Sequence, residues 1–389
     1  MTQAAASRGD GVTSIVILSY NTLDYTRLCI ESIRTYTEAG TYEILVVDNG
    51  SHDGSAEWLK EQADILLFCN AENRGFPGGC NQGMRAAMGD SLLLLNSDTI
   101  VTPNWLSNMR RALFSAPDIG AVGCVTNRCS NEQKIPAPYE SIEEMETFAE
   151  AFNVSDPAKW HPWFMLVGFC FLMKREAYIE VGGFDERFSP GNYEDDDLSV
   201  RLRMAGYDLL LLQDTFIHHF GSASFGRKQN VSEAELQRKQ EAYAALLQRN
   251  AEKFVRKWGV DPKSYRTRYT VEAVLPDELP QGARVTLVGF SRGMELYHLG
   301  AHCPEATVAG VIVGAPPEVP LSRRISVRRV EQFADAPDAI EPAQDYIIVR
   351  DALNGDAESL CRRLCGRLRI GGKLLVPNGG GMREFSRTS

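Results

Sequence analysis

Between residues 13 and 101, short continuous apolar runs alternate with segments in which apolar residues recur every three or four positions. The apolar runs predict strands at Ser14–Ser19, Tyr42–Val47, Ile65–Phe68 and Ser91–Leu95. The intervening segments predict helices at Asp24–Thr37, Ser55–Gln62 and Gly79–Met88, with a further helix opened by Pro103. Continuous apolar strands alternating with helices are typical of a parallel sheet covered on both faces, so we expect an α/β fold with a mostly parallel central sheet.

The pattern is less regular between residues 120 and 225. It predicts strands at Phe164–Met173 and Leu209–Leu212 and a helix at Glu194–Ala205 that is ended by a glycine. A long amphipathic helix follows at Ser232–Trp258, and we interpret it as a brace or linker.

A second α/β pattern occupies residues 283–378, where apolar strands and a Gly-Gly turn return. We therefore expect three segments: a first domain over 12–228, a helical linker or brace over 229–275, and a smaller Rossmann-like domain over 276–389.

Composition narrows the class of protein. The chain has 389 residues, 44% hydrophobic and 24% charged, which is ordinary for a globular protein. Its net charge of −10 argues against general binding to nucleic acid or to anionic lipid.

The apolar run at 163–173 is too short to span a membrane, and the N-terminus has no apolar core. Nine scattered cysteines suit reduced thiols. We expect a cytoplasmic protein without a transmembrane segment, free or peripheral at the inner membrane face.

Polar side chains follow the ends of three predicted strands: Asn21, Asp48 and Asn96–Asp98. Ligands of open α/β sheets bind beyond the carboxyl ends of the strands. These residues therefore predict a binding site at that edge of the sheet.

The segment Asn96–Ser97–Asp98 follows four leucines. A carboxylate at the tip of a buried strand can hold a divalent cation whose other ligands are phosphate oxygens and water. Asp98 would bind Mg²⁺ or Mn²⁺, while Asn96 offers only an amide oxygen. The alternative is that the segment caps the helix that begins near Pro103.

Two further segments suit a nucleoside diphosphate. Asp48 could accept a hydrogen bond from a base N–H, such as N3–H of uracil or thymine. Alternatively it is an N-cap or turn residue, and we expect Asp53 to be the cap of the helix that follows. The glycine-rich segment 73–79 precedes a predicted helix, where a diphosphate could bind, although a plain turn would have the same composition.

Four acids, Glu194 to Asp197, begin a predicted helix. Acids in a first turn also complement the helix dipole. The i, i+3, i+7 spacing places Asp195 on the face of two leucines, which predicts an inward carboxylate suited to act as general base. Asp197 can pair with Arg201 at i+4 instead.

The pair His218–His219 follows a strand-like run. A histidine beside a diphosphate–metal complex is a plausible ligand, although an isolated histidine is more often structural. The residues do not say which of the two would face the metal. Ser224 and Arg227 could contact the diphosphate.

Residues 12–225 resemble a GT-A-fold family 2 glycosyltransferase, most closely the bacterial rhamnosyltransferase-type branch. The matching segments are SIVILSYN, EILVVDNGSHDGS, NAENRGFPGGCNQG, LLLLNSDT, GFDERFSPGNYEDDDLSVRLRMAGY and IHHFGSAS. The resemblance implies an inverting enzyme that uses one base and no covalent intermediate. It also implies a nucleoside diphosphate sugar donor, dTDP-rhamnose or a UDP-sugar, and a glycan, lipid-linked or protein hydroxyl acceptor.

Position by position, the resemblance assigns the base contact to Asp48, the metal to Asp98 and His219, and the general base to Asp195. Asn96 departs from the acid expected at the first position of the metal motif. Further donor contacts are expected at Ser19, Tyr20, Asn21, Arg74, Gly75, Gly79, Asn96 and Ser97. Secondary or acceptor contacts are expected at Gly168, Glu194, Asp197 and Ser224.

The C-terminal segment resembles a shortened SAM-methyltransferase-like Rossmann domain. Its first turn lacks a full Gly-x-Gly-x-Gly, and no acid follows the second strand to bind a ribose. We expect a non-catalytic domain that serves oligomerisation or acceptor docking. Two alternatives are a bifunctional enzyme with an active methyltransferase and a non-catalytic scaffold that binds a sugar nucleotide.

Overall fold

The computed structural model describes residues 11–221, 233–259, 279–289, 294–303, 305–315, 319–350, 357–378 and 381–388. The chain divides into an N-terminal unit, 1–262, and a C-terminal unit, 263–389. Among the helices within these described ranges, none is long and apolar enough to cross a membrane.

The described strands of the N-terminal unit form a nine-stranded sheet. They are β1 Thr13–Ser19, β2 Tyr42–Asp48, β3 Ile65–Cys69, β4 Ser91–Asn96, β5 Thr99–Ile100, β6 Ile119–Thr126, β7 Trp160–Trp163, β8 Cys170–Lys174 and β9 Asp208–His219. The helices are α1 Leu23–Tyr36, α2 Ser55–Lys60, α3 Gly75–Ala86, α4 Trp105–Leu113, α5 Ile142–Phe152, α6 Arg175–Val181, α7 Glu194–Met204 and α8 Glu233–Trp258.

The strand order is β3-β2-β1-β4-β8-β6-β9-β5, with β7 paired on β9. Strands β1 to β4 are mutually parallel, β8 runs antiparallel between β4 and β6, and β9 is parallel to β6. The carboxyl ends of β1, β2, β4 and β9 therefore meet at one edge. The predicted α/β class with a mostly parallel central sheet is confirmed.

Helix α3 begins four residues earlier than predicted, because its glycine-rich start is helix and not loop. The glycines allow close packing on β1: a Cβ at Gly79 would lie 2.3 Å from Leu18 Cδ1, and one at Gly83 would lie 2.5 Å from Val16 Cγ1. The glycines of this helix are therefore explained by its close packing on the sheet and not by a flexible loop.

The predicted strand Phe164–Met173 was wrong in its first half. Strand β7 ends at Trp163 and β8 begins only at Cys170, so the apolar stretch between them is buried but irregular. The apolar sequence reflects burial alone, because a buried segment need not form a regular strand. Strand β9 is longer than predicted and continues to His219.

The core of the N-terminal unit lies between the sheet and its helices. Residues of β1, β4 and α4 contribute side chains with essentially no exposure, among them Ile15, Leu93 and Trp105. This packing fixes the strand ends on which the polar residues stand.

The C-terminal unit is a smaller α/β sheet in the order β12-β11-β10-β13-β14-β15. Its elements are β10 Arg284–Val288, α9 Met294–His302, β11 Thr307–Val313, β12 Ser326–Val330, α10 Ala336–Ala339, β13 Gln344–Val349, α11 Ala357–Cys365, β14 Leu368–Asn378 and β15 Gly381–Ser386. All pairs are parallel except β14 with β15. The second, smaller α/β unit is therefore confirmed.

Candidate active site

Asp48 is the last residue of β2 and is 2% exposed. Its Oδ2 accepts hydrogen bonds from the N–H groups of Gly50 and Ser51, at 3.3 and 3.1 Å. Its Oδ1 is buried and accepts no hydrogen bond from any described residue. A buried acceptor without a donor is costly, so an N–H from a ligand would stabilise this carboxylate once the atoms that cover it move aside.

Asn49, which the sequence did not single out, joins the end of β2 to the loop before α3. Its Nδ2 donates to Asn73 Oδ1 and to the Gly75 carbonyl, and its Oδ1 accepts from the Arg74 N–H. It is 1% exposed. The signal was present in the turn Asp-Asn-Gly-Ser, but a buried asparagine and a turn asparagine look alike in sequence.

The predicted diphosphate loop is tightly held. Gly75 has a φ of 75°, and a Cβ there would lie 3.0 Å from Pro190 Cα, so only glycine fits without strain. The exposed Arg74 side chain contacts Gln82 at 3.3 Å. Gly79 lies inside α3 against β1, so its absent side chain is explained by packing; its donor contact stays a prediction.

The end of β1 lies beside the end of β2, where Ser19 is paired with Asp48. Ser19 is buried with its hydroxyl 3.2 Å from Thr26, and Tyr20 is half-buried. Asn21 adopts a φ of 52° and its Oδ1 accepts the His52 N–H at 2.8 Å. These contacts tie the two strand ends together.

Asp53 lies just before α2, whose N-cap residue is Gly54, and its carboxylate bonds the first residues of two helices, α1 and α2. Its Oδ1 accepts from the Ser55 N–H and hydroxyl, and its Oδ2 accepts from the Leu23 N–H. Burial acts to raise the pKa of Asp53, but these hydrogen bonds outweigh it and the pKa is lowered.

The segment Asn96–Asp98 links β4 to β5. The Asn96 N–H donates to the Phe169 carbonyl, and the Ser97 hydroxyl lies 3.1 Å from that of Thr22. The Asp98 carbonyl accepts the N–H of Phe220. The segment therefore connects neighbouring strands; it does not act as the cap of α4, whose N-cap residue is Asn104.

His219, at the end of β9, faces Asp98. Its Nδ1 lies 2.7 Å from the Arg128 carbonyl, which can only accept, so Nδ1 carries a proton. In the neutral ring Nε2 then has the lone pair, and it lies 3.2 Å from Asp98 Oδ1 and 3.5 Å from Asn96 Nδ2. The ring stacks on Phe169 at 5.3 Å.

These two side chains fit a divalent cation. Adjacent ligands of an octahedral ion bound at about 2.1 Å lie about 3 Å apart, close to the separation of Nε2 and Oδ1. The two acceptors face each other, an arrangement that a shared cation or a proton would stabilise. No group of three or more such His, Cys, Asp or Glu side chains occurs in the part of the chain that the structure describes.

His218 points elsewhere. Its Nδ1 lies 2.7 Å from the Tyr139 hydroxyl, and its ring contacts Phe220. Burial, with the neighbouring His219, lowers the pKa of His218 to about 4. His219, and not His218, is therefore the histidine placed beside Asp98.

Asp195 is half-buried at the start of α7. Its Oδ2 accepts the Gly168 N–H at 3.0 Å and its Oδ1 accepts the Asp196 N–H at 2.9 Å. Backbone donors hold the carboxylate in one orientation and leave acceptor capacity on both oxygens. Gly168, a predicted secondary residue, thus contacts the predicted base directly.

The spacing argument for Asp195 was only partly right. Leu198 and Leu202 face the core as expected, but Glu194 and Asp197 are more buried than Asp195. Helix α7 is covered on most sides, so a single inward face does not exist. Asp197 pairs with Arg201 at 2.8 Å, as predicted.

Two adjacent residues, Gly168 and Phe169, connect the predicted base Asp195 with the Asp98–His219 pair. Gly168 holds the carboxylate of Asp195, while Phe169 accepts from Asn96 and stacks on His219. Ser224 and Arg227 lie outside the described residues, so their predicted contacts stay predictions.

Residues 14–182 match the family described as Glycosyl transferase family 2. The match confirms the predicted glycosyltransferase class for this segment. The match includes Asp48, Asp98 and Gly168; Asp195 and His219 follow it in the chain.

The chain is also similar to curated proteins over part of its length. O-antigen biosynthesis protein RfbC of Myxococcus xanthus is 27% identical over 251 residues, which cover 59% of this chain and 19% of that protein. Poly-beta-1,6-N-acetyl-D-glucosamine synthase of Staphylococcus aureus is 29% identical over 177 residues, 42% of this chain and 39% of that protein. An uncharacterized protein of Sinorhizobium fredii, y4gI, is 27% identical over 242 residues. The chain spans 26% of y4gI and 19% of RfbC.

Among solved structures, the mannosyltransferase PcManGT of Pyrobaculum calidifontis, in complex with GDP-Man and Mn²⁺, is similar with a TM-score of 0.45 and 19% identity. The alignment covers 68% of this chain and 69% of that one.

Proposed function

We propose that the protein is an inverting glycosyltransferase that moves a sugar from a nucleoside diphosphate sugar to an acceptor hydroxyl, with Asp195 as general base. The observation that carries the proposal is that two adjacent residues, Gly168 and Phe169, contact the Asp195 carboxylate and the ring of His219, whose Nε2 faces Asp98. The family 2 match over residues 14–182 supports the reaction class.

In the proposed reaction the acceptor oxygen attacks C1 of the donor sugar while the bond from C1 to the diphosphate oxygen breaks. The acceptor's proton passes to Asp195, and the nucleoside diphosphate leaves. Attack opposite the leaving group inverts C1 in one displacement. Asp195 keeps its orientation because two backbone N–H groups hold it.

Asp98 and His219 would hold Mg²⁺ or Mn²⁺ beside the diphosphate, where the ion supplies charge neutralisation for the leaving group. Asp48 would accept the N–H of a pyrimidine, which favours dTDP- or UDP-sugars as donors, including dTDP-rhamnose. The acceptor is a hydroxyl of a glycan, a lipid-linked glycan or a protein.

The first experiment is a thermal-shift screen of dTDP, UDP, GDP and SAM, each with and without Mn²⁺ or Mg²⁺. A ligand at 100 times its Kd adds about 2.7 kcal/mol of stability. We expect a metal-dependent shift with dTDP or UDP. A shift with SAM alone would support the methyltransferase alternative, and no shift with any nucleotide would count against the proposed site.

The second experiment tests the base. Asp195→Asn should lower kcat by about 100- to 10,000-fold, the usual contribution of a general base, while the Kd of the nucleoside diphosphate stays unchanged. Glu143→Gln is the matched control, because Glu143 is another first-turn acid, exposed on α5. Normal turnover by Asp195→Asn would show that the base is misassigned.

We propose no catalytic role for the C-terminal unit, which would serve oligomerisation or acceptor docking. Strand β11 is followed by Gly314 and Ala315, where a dinucleotide or SAM fold would place a ribose-binding acid.

A further inference from the structure

The C-terminal half of α8 packs against the loop that precedes α7. Asn250 of α8 is fully buried, and its side-chain Nδ2 donates to the carbonyls of Phe188, Gly191 and Asn192, at 2.7, 2.9 and 3.2 Å. One amide group thus serves three backbone acceptors in a five-residue stretch.

The last residue of that stretch and the residue after it have an unusual backbone conformation. Asn192 and Tyr193 both have a φ of 74°, in the left-handed region. A bulky residue such as tyrosine rarely adopts this conformation, and it persists only where neighbouring contacts enforce it. The three hydrogen bonds from Asn250 supply such contacts.

The presence of an amide at position 250 is explained by its donor group and not by the space that it fills. Its Oδ1 is buried and accepts no hydrogen bond from any residue that the structure describes. An apolar side chain of similar volume would fill the same space without an unpaired oxygen. The amide is therefore matched to the loop carbonyls.

The loop sets the first turn of α7. The Tyr193 carbonyl accepts the N–H of Asp197, which begins the helical hydrogen bonding, and Asp195 lies between these two residues. A change in the backbone of Tyr193 would rotate this turn and move the Asp195 carboxylate relative to the Gly168 N–H.

The same loop contacts the predicted donor loop from its other side. The Pro190 carbonyl accepts the N–H of Phe76 at 2.8 Å, next to Gly75. Helix α8 adds two more contacts: Arg249 donates to the Ser189 carbonyl at 3.1 Å, and Lys253 donates to that of Arg187.

We propose that Asn250 is a positioning residue for sugar transfer. By holding the left-handed loop before α7, it keeps the Asp195 carboxylate in the orientation needed to remove the acceptor proton. The inference rests on the proposed function and gives Asn250 of α8 a role in positioning the base, beyond the expected role of this helix as a brace.

The test uses the full chain with Asn250→Leu, which keeps the side-chain volume and removes both donor hydrogens. We expect kcat to fall by about 100-fold, as for an ångström-scale misplacement, with an unchanged Kd for UDP or dTDP. Hydrogen exchange should become faster in residues 191–198. Gln248→Leu is the control, because Gln248 is exposed on the same helix and its side chain donates a hydrogen bond to Glu252 of that helix, away from the loop.

A folded Asn250→Leu protein with wild-type kcat would overturn the proposal. If Asn250→Leu does not fold, Asn250→Ser, which keeps one donor, decides by the same criteria; failure of both to fold would mean a role in stability alone. Failure of the proposed function gives a different result. In that case Asp195→Asn keeps its turnover, while faster exchange at 191–198 in Asn250→Leu still reports the loop contact.

Discussion

At the scale of single residues, the chemistry of the site depends on which atom of each side chain already makes a hydrogen bond within the protein. His219 uses Nδ1 on a backbone carbonyl and turns Nε2 to Asp98, whereas His218 is engaged by Tyr139. The two histidines are neighbours in sequence and different in chemistry, because successive residues of a strand point to opposite faces.

This difference predicts unequal effects on metal dependence. His219→Gln should raise the Mn²⁺ concentration for half-maximal transfer by about 10- to 100-fold, the range typical for damaged metal sites. His218→Gln is the matched control and should leave that concentration unchanged. Metal titration of initial rates checks both, and an equal effect of the two variants would contradict the assignment.

Asp48→Asn should change nucleotide selectivity. Because Oδ2 accepts two backbone N–H groups, the asparagine oxygen would take that place and its NH₂ would face the base. The asparagine NH₂ would then face the N3–H of uracil, and two donors cannot bond. Cytosine N3 has a lone pair and could accept from the same NH₂. We expect the Kd of UDP to rise by about 10- to 100-fold and that of CDP to fall, measured by calorimetry. An unchanged UDP/CDP ratio would exclude Asp48 as the base contact.

At the scale of elements, the close approach of α3 to β1 depends on glycine. Gly83→Ala places a methyl group 2.5 Å from Cγ1 of the buried, β-branched Val16. We expect a loss of about 1–3 kcal/mol in the free energy of unfolding, measured with urea. Gly300→Ala in α9 is the control, because no atom of the described residues, apart from its chain neighbours and its own helix backbone, lies within 4 Å of its added Cβ. A comparable loss there would contradict this explanation.

The anchoring of α8 predicts a pH dependence. Hydrogen bonds from Arg187, opposed by burial and reinforced by Lys257 of α8, hold the pKa of Asp185 well below its usual value. A lowered pKa stabilises the fold above the ordinary Asp pKa of about 3.9 and loses this contribution as the pH falls through the folded-state value.

Asp185→Asn should therefore have a lower Tm than the wild type at neutral pH, and the difference should shrink below about pH 4. Melting curves from pH 3 to pH 8 for both proteins test this. A difference that does not vary with pH would mean that the lost contact is not ionic.

At the scale of the whole molecule, the two units have separate hydrophobic cores. We expect calorimetry to resolve two unfolding transitions, with UDP or dTDP and Mn²⁺ raising the Tm of only one. A single transition, or a shift of both, would show that the units unfold together.

Much of this organisation could be predicted from sequence. The strand ends carrying Asp48 and Asp98 followed from apolar runs, since those strands are buried on both faces. The irregular stretch before β8 could not be predicted from the sequence, because it is buried without a regular periodicity. The contacts of Asn250 could not be predicted either, because they involve carbonyls about 60 residues away.

The dipeptide Gly168–Phe169 has a consequence for how such an enzyme can diversify. Gly168 binds the Asp195 carboxylate and Phe169 stacks on His219, so in the proposed mechanism a change that adapts this segment to a new acceptor would also disturb the donor side. Evolution toward other acceptors would then alter segments remote from this dipeptide, while the dipeptide itself would have little freedom to change.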